Sequence, residues 1–232
     1  MPRATTSRSP SPPWRSTIGL KVMMAVSGVV LVGFAVGHML GHLKMFEGRD
    51  AYNAYAEFLQ GLGAIKWAVR LGLLAAVALH IYCGIALSLR NRRARPVRYE
   101  AQRLQRATPY GRAMLLTGVA FVAFLLYHLA HFTLGWVHPE YFDGRDALGR
   151  PDVYANFVLS FQEPAITVLY LVATVAVSMH VAHAASSMLR TLGLSSGRWR
   201  AACERLGPAL GILLMVGFAI VPLACLLGWL EP

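Results

Sequence analysis

The sequence predicts an all-α, polytopic membrane protein with five transmembrane helices, the first four forming a bundle. Three observations predict this. Of the 232 residues, 56% are hydrophobic and 14% are charged, whereas a soluble domain carries about a quarter charged residues. The apolar residues gather in five runs, at roughly 18–43, 66–89, 112–136, 164–189 and 207–230, each long enough to cross the ~30 Å hydrocarbon core as a helix. The basic residues, which give a net charge of +11, sit in short clusters between those runs. Such clustering orients a membrane protein, and it argues against a nucleic-acid partner.

Residues 1–16, MPRATTSRSPSPPWRS, are rich in Pro, Ser and Arg and are expected to be a disordered basic tail. A cleaved signal peptide is disfavoured, because the run that follows is too long and no small-residue cleavage site ends it. Residues 17–232 then form one transmembrane domain. On the first helix, Gly33, Gly37 and Gly41 permit close approach of another helix or of a flat ligand. Pro164 suits the first turn of the fourth helix, and Pro222 is expected to kink the fifth. No internal repeat is evident. The three cysteines, Cys83, Cys203 and Cys225, include no CxxC or CxxCH. That spacing excludes a disulfide scaffold, a zinc-thiolate site and covalent c-type haem.

Charge predicts the topology. Sixteen of the 22 Lys and Arg residues lie in three segments: the N-terminal tail through Lys21, the connection from Arg90 to Arg112, and the connection from Arg190 to Arg205. The other two connections hold most of the acids, among them Glu47, Asp50, Glu57, Glu140, Asp143, Asp146, Asp152 and Glu163. The positive-inside rule places the N-terminus in the cytoplasm and the C-terminus outside.

Seven of the eight histidines lie in or at the ends of the runs: His38, His42, His80, His128, His131, His180 and His183. Ionisable side chains inside a membrane are rare and mark function. Depth sorts them. His38 is 17 residues beyond Lys21 and His128 is 16 beyond Arg112, which places both ~24–25 Å from the inner face. His80 and His180 each precede an arginine by 10 residues, which places both ~15 Å from that face. Two pairs result: His38 with His128 in the outer half, and His80 with His180 in the inner half. Two histidines on facing helices at one depth are what a six-coordinate b-type haem needs, so the first four helices are expected to be a haem-binding bundle. His42, His131 and His183 share helix faces with these residues. They are alternative ligands, hydrogen-bond donors to haem propionates or to a quinone, or packing residues at a span end. Zinc or copper transport is the competing metal reading, but it favours carboxylates or thiols beside the histidines; the spans hold almost no acids, and Cys83 and Cys225 are far apart in sequence.

Several segments, in order, resemble one family: RSTIGLKVMMAVSG (15–28), GHMLGHLKMF (37–46), YNAYAEFLQGLG (52–63), LHIYCGIALSLRNRRAR (79–95), YHLAHFTLG (127–135), DVYANFVLSFQEPAITVLYLVA (152–173) and MHVAHAASSMLRTLG (179–193). Together they resemble the membrane anchor of succinate:quinone oxidoreductase, of the single-chain, five-helix, dihaem cytochrome b558 type. The resemblance spans almost the whole chain past residue 15. It implies two haem b groups, with His38 and His128 as ligands of the outer one and His80 and His180 as ligands of the inner one. It also implies a flavoprotein and an iron–sulphur subunit as partners, and a quinone as substrate, with menaquinone the expected form. Glu57 falls where relatives place a quinone-site carboxylate that exchanges protons. Some relatives carry a glutamate two residues before the fourth-helix ligand as a transmembrane proton relay. Here that position is Ser178, so the resemblance does not extend to the relay. Succinate oxidation itself is not expected in this chain, which has no dinucleotide fingerprint and no cluster-ligating cysteine set. The expected setting is the cytoplasmic membrane of a prokaryote, with bilayer lipid around the spans. The alternatives are a dihaem cytochrome b of another quinone-linked oxidoreductase, or a metal transporter.

Overall fold

The structure is a computed structural model that describes Pro12 and residues 16–94 and 113–232. Its helices are α1 (Thr17–Leu43), α2 (Arg49–Gly61), α3 (Ala64–Arg93), α4 (Met114–Phe132), α5 (Pro139–Phe142), α6 (Val153–Gln162), α7 (Pro164–Thr191) and α8 (Arg200–Leu226). The described residues contain no strand, only an isolated bridge between Arg145 and Pro151. Five helices, α1, α3, α4, α7 and α8, are long and apolar enough to cross a membrane. The protein is therefore all-α with the architecture of a multi-pass membrane protein. Of the expected tail, all but Pro12 and Ser16 lies outside the described residues, as do Arg95, Arg98, Arg103, Arg106 and Arg112.

Local chemistry sets the helix ends. The Ser16 hydroxyl accepts from the Gly19 amide at 2.8 Å and caps α1, satisfying one of the orphan donors of the first turn. Asp152 caps α6 through the Ala155 amide, and Pro164 opens α7 where no amide is needed. The third span ends at Phe132, short of the expected residue 136. Gly135 takes the left-handed conformation (φ 66°), while Leu134 and Trp136 donate back to the carbonyls of Leu129 and Ala130. The Phe142 ring lies where a Cβ at Gly135 would sit, so the turn requires glycine. α8 runs from Arg200 through Pro208 and Pro222 as one element.

The two acid-rich connections are largely helical and meet at one end of the bundle, here called the cap. α2 packs on α6, and α6 packs on α8. Arg49 pairs with Asp152. Asn53 donates to Asp152 (2.9 Å) and Asp146 (3.3 Å), and accepts from the Tyr154 amide (2.9 Å). Arg150 joins Asp146 at 2.7 Å and Asp50 at 2.6 Å. Burial alone would raise the Asp152 carboxyl, but the hydrogen bonds from Arg49, Asn53 and the Ala155 amide hold it below the usual carboxylate range. The largest apolar cluster lies under this cap: Met45, Tyr52, Tyr154, Phe157, Phe161 and Tyr170, closed by Val221 and Cys225 of α8. Arg90, Arg92, Arg93 and Arg190 end α3 and α7 at the opposite end.

The element order contains a repeat that the sequence reading missed. Each of two units is a span, a short helix and a second span: α1–α2–α3 and α4–α6–α7. Ser27–Gly28 and Thr117–Gly118 each precede a histidine by eleven residues, His38 and His128. Asp50, Tyr52 and Gln60 correspond to Asp152, Tyr154 and Gln162. His80 and His180 are each followed ten residues later by a Leu-Arg pair. The second unit carries a longer connection that includes α5. Helix α8 stands outside the repeat and packs along α7 and α1.

Candidate functional site

Two pairs of imidazoles face each other inside the bundle. His38 on α1 and His128 on α4 have ring centroids 5.8 Å apart. His80 on α3 and His180 on α7 have centroids 6.4 Å apart. These are the pairs expected from depth. The repeat explains them: each unit contributes one histidine to each pair, always from the equivalent helix. Backbone packing joins α1 to α3 and α4 to α7 within each unit, and α1 to α7 between them. The paired histidines therefore belong to helices that approach through their side chains. Eleven residues separate the two levels along α1 and along α4, a rise of about 16 Å.

The donor set can be tested against a metal-bearing group. A first-row metal about 2.0 Å from one nitrogen of each imidazole holds the two centroids about 6 Å apart. Both pairs match this spacing. A haem iron needs only two axial ligands from the protein, which is what each pair supplies. A bare ion needs more. Among the described residues, no group of three or more His, Cys, Asp or Glu side chains gathers into such a shell. Two imidazoles per site fit the axial positions of a haem iron.

The pair nearer the cap is wrapped in aromatic and polar groups. Phe34 stacks on His38 with centroids 5.3 Å apart, while Phe124 and Phe132 flank His128. His42 lies between His38 (Nε2 to Nε2, 3.1 Å) and the Tyr52 hydroxyl (2.8 Å). Burial pushes the Tyr52 phenol up, which keeps it neutral. The Tyr170 hydroxyl bridges His128 (3.4 Å) and His131 (3.1 Å). His131 is fully buried and also meets Ser160 at 3.1 Å. His42 and His131 therefore stand as hydrogen-bonding neighbours of the pair. Sequence reasoning missed Tyr52, Tyr170 and Ser160, which no local motif distinguishes from packing residues.

The pair farther from the cap has a simpler frame. The Ser27 hydroxyl is 3.2 Å from His80 Nδ1, and the Thr117 hydroxyl is 3.3 Å from His180 Nδ1. A Cβ added at the next residue, Gly28 or Gly118, would touch the ring at 3.5 or 3.4 Å. The repeated hydroxyl-glycine pair was the available sequence signal for these neighbours. His183 is half-buried and makes no hydrogen bond or ring contact among the described residues.

Glu57 is exposed on α2, within the first acid-rich connection. It lies five residues past Tyr52, about 140° around the helix, and no hydrogen bond or ion pair joins it to the described histidines. Ser178 is buried, and its hydroxyl has no partner among the described residues.

No family model matches the chain, and comparisons with curated proteins and with solved structures find no match.

Proposed function

We propose that this chain is the dihaem cytochrome b membrane anchor of a succinate:quinone oxidoreductase, working as a succinate dehydrogenase or a fumarate reductase. The observation that carries the haem part of this reading is the repeat of facing histidines, two pairs at two levels, each drawn from equivalent helices. The succinate part rests on the family resemblance of the ordered segments from Arg15 to Gly193.

In this reading His38 with His128, and His80 with His180, hold one haem b each. Bound haem supplies one-electron transfer chemistry, which no side chain of the bundle provides. The protein fixes the ligand rings, excludes water from them with Phe34, Phe124 and Phe132, and presents polar neighbours at the cap. The basic end of the bundle faces the cytoplasm, where Arg90, Arg92 and Arg93 border the docking face of the iron–sulphur subunit, itself bound to the flavoprotein. The cap, with the acids and the C-terminus, faces outward. Quinone reacts at the cap side, and Glu57 exchanges protons with water from the exposed face of α2. The setting is the cytoplasmic membrane of a prokaryote.

Purification of the tagged chain from its native membranes tests the proposal. The expected result is co-elution of a flavoprotein and an iron–sulphur protein, with a b-type absorption band that appears on adding succinate. A b-type band with partners that lack a flavoprotein would transfer the chain to another quinone-linked oxidoreductase. Absence of any b-type band would remove it from the cytochromes.

A further inference from the structure

We infer that Ser27 and Thr117 are positioning residues that fix the tautomer and the basicity of His80 and His180, and so set the redox potential of the haem those histidines hold. The inference rests on the dihaem reading and deepens it. A hydroxyl carries one hydrogen. The Ser27 hydroxyl points at the carbonyls of the preceding helical turn, 2.9 Å from Met23 and 3.1 Å from Met24. Thr117 does the same, 3.0 Å from Ala113 and 3.2 Å from Met114. Back-bonding of this kind is the ordinary use of a Ser or Thr hydrogen inside a helix. Once the hydrogen is committed there, each oxygen offers only lone pairs to its imidazole. The nitrogen facing it, Nδ1 in both cases, must therefore carry the ring proton and donate. Nε2 is left unprotonated, and that is the form an axial ligand requires.

Two features argue against coincidence. Ser27 and Thr117 are both buried, and each brings its oxygen within 3.3 Å of the ring nitrogen although its hydrogen is already satisfied by its own helix. They also occupy equivalent places in the two units, each followed by a glycine at which an added Cβ would come within 3.4–3.5 Å of the ring. The same device is thus built twice, once for each ligand of a single centre. The other pair lacks it: His128 Nδ1 faces a tyrosine hydroxyl at 3.4 Å, and His38 meets His42. An imidazole that donates from Nδ1 is a more basic ligand, and a more basic ligand favours the oxidised iron. The haem of His80 and His180 is therefore held at a lower potential than its ligands alone would give.

The test is potentiometric titration of the purified complex with Ser27→Ala, Thr117→Val, and the conservative variants Ser27→Thr and Thr117→Ser. Each of the first two is expected to shift one haem about tenfold toward its reduced form, ~59 mV upward for one electron. The shifted haem should be the one that His180→Ala removes, and the second haem should not move. The conservative variants should keep the wild-type value. Two haems with unshifted potentials in Ser27→Ala and Thr117→Val would overturn this inference and leave the dihaem reading standing. Equal shifts in the conservative variants would also overturn it, by assigning the effect to packing. If Ser27→Ala fails to assemble, the nearly isosteric Thr117→Val decides the matter. A wild-type chain that binds no haem would overturn both readings together.

Discussion

At the scale of single residues, the histidines were legible and their neighbours were not. Seven imidazoles in apolar runs stand out because water-free surroundings penalise them unless they have work to do. Ser27, Thr117 and Tyr170 do not stand out, since small hydroxyls and tyrosines are common in spans and at their ends, where they satisfy the backbone or the interface. Glu57 shows a different limit. Its place in an acid-rich connection does not tell which way it faces, and it is an exposed helical residue on the side of α2 away from Tyr52. That exposure suits a group that trades protons with water, provided quinone approaches from the outer face of α2. Glu57→Gln keeps size and hydrogen bonding and deletes the proton site. It is expected to lower electron flow between the complex and quinone about a hundredfold or more. Haem content, and succinate oxidation with an artificial acceptor at the soluble subunits, should be unchanged. Full quinone activity in that variant would make Glu57 a solvated acid and move the quinone site toward His183.

Among the elements, the five spans followed from hydropathy to within a few residues, because burial in hydrocarbon demands a continuous apolar helix. The exceptions have local causes. The third span stops at Phe132 because Gly135 turns the chain, and α8 starts before its apolar run because polar residues such as Arg200 and Glu204 already belong to the helix. Hydropathy carries no signal for helices α2 and α6. Both are short, and what fixes them is tertiary: Asn53 and Asp152 tie one connection to the other. The contact of α7 with α8 depends on glycine. A Cβ at Gly207 would overlap the Ala182 carbonyl oxygen, and one at Gly211 would come within 2.9 Å of the Ser178 carbonyl oxygen. Backbone cannot give way as a side-chain tip can, so Gly207→Ala forces the helices apart. The expected cost is about 1–3 kcal/mol, seen as a lower thermal midpoint of the detergent-purified protein. Gly217 faces the Met39 side chain instead, and Gly217→Ala should cost less. Equal midpoints for Gly207→Ala and wild type would show that this crossing does not bear on stability.

In the whole molecule, two copies of one span–helix–span unit face each other, and α8 is added along the side. The repeat escaped the sequence reading because the two copies share few residues beyond the hydroxyl-glycine pairs, the histidines and the Asp-x-Tyr starts of the short helices. Insertion of the α5 loop in the second copy also breaks the register. In three dimensions the shared residues are the ones that build the two centres and the cap, and the divergent ones face outward: Leu71, Leu74, Leu116, Val119, Val168 and Val172 are all exposed, as lipid-facing positions should be. The central claim is that each facing pair of histidines holds one haem. The most direct measurement is haem extracted from the purified protein, counted per copy of this chain, for the wild type and for His180→Ala and His128→Ala. The account predicts about two haems in the wild type and about one in each variant, with a different haem lost in each case. One haem or none in the wild type, or an unchanged count in either variant, would contradict it.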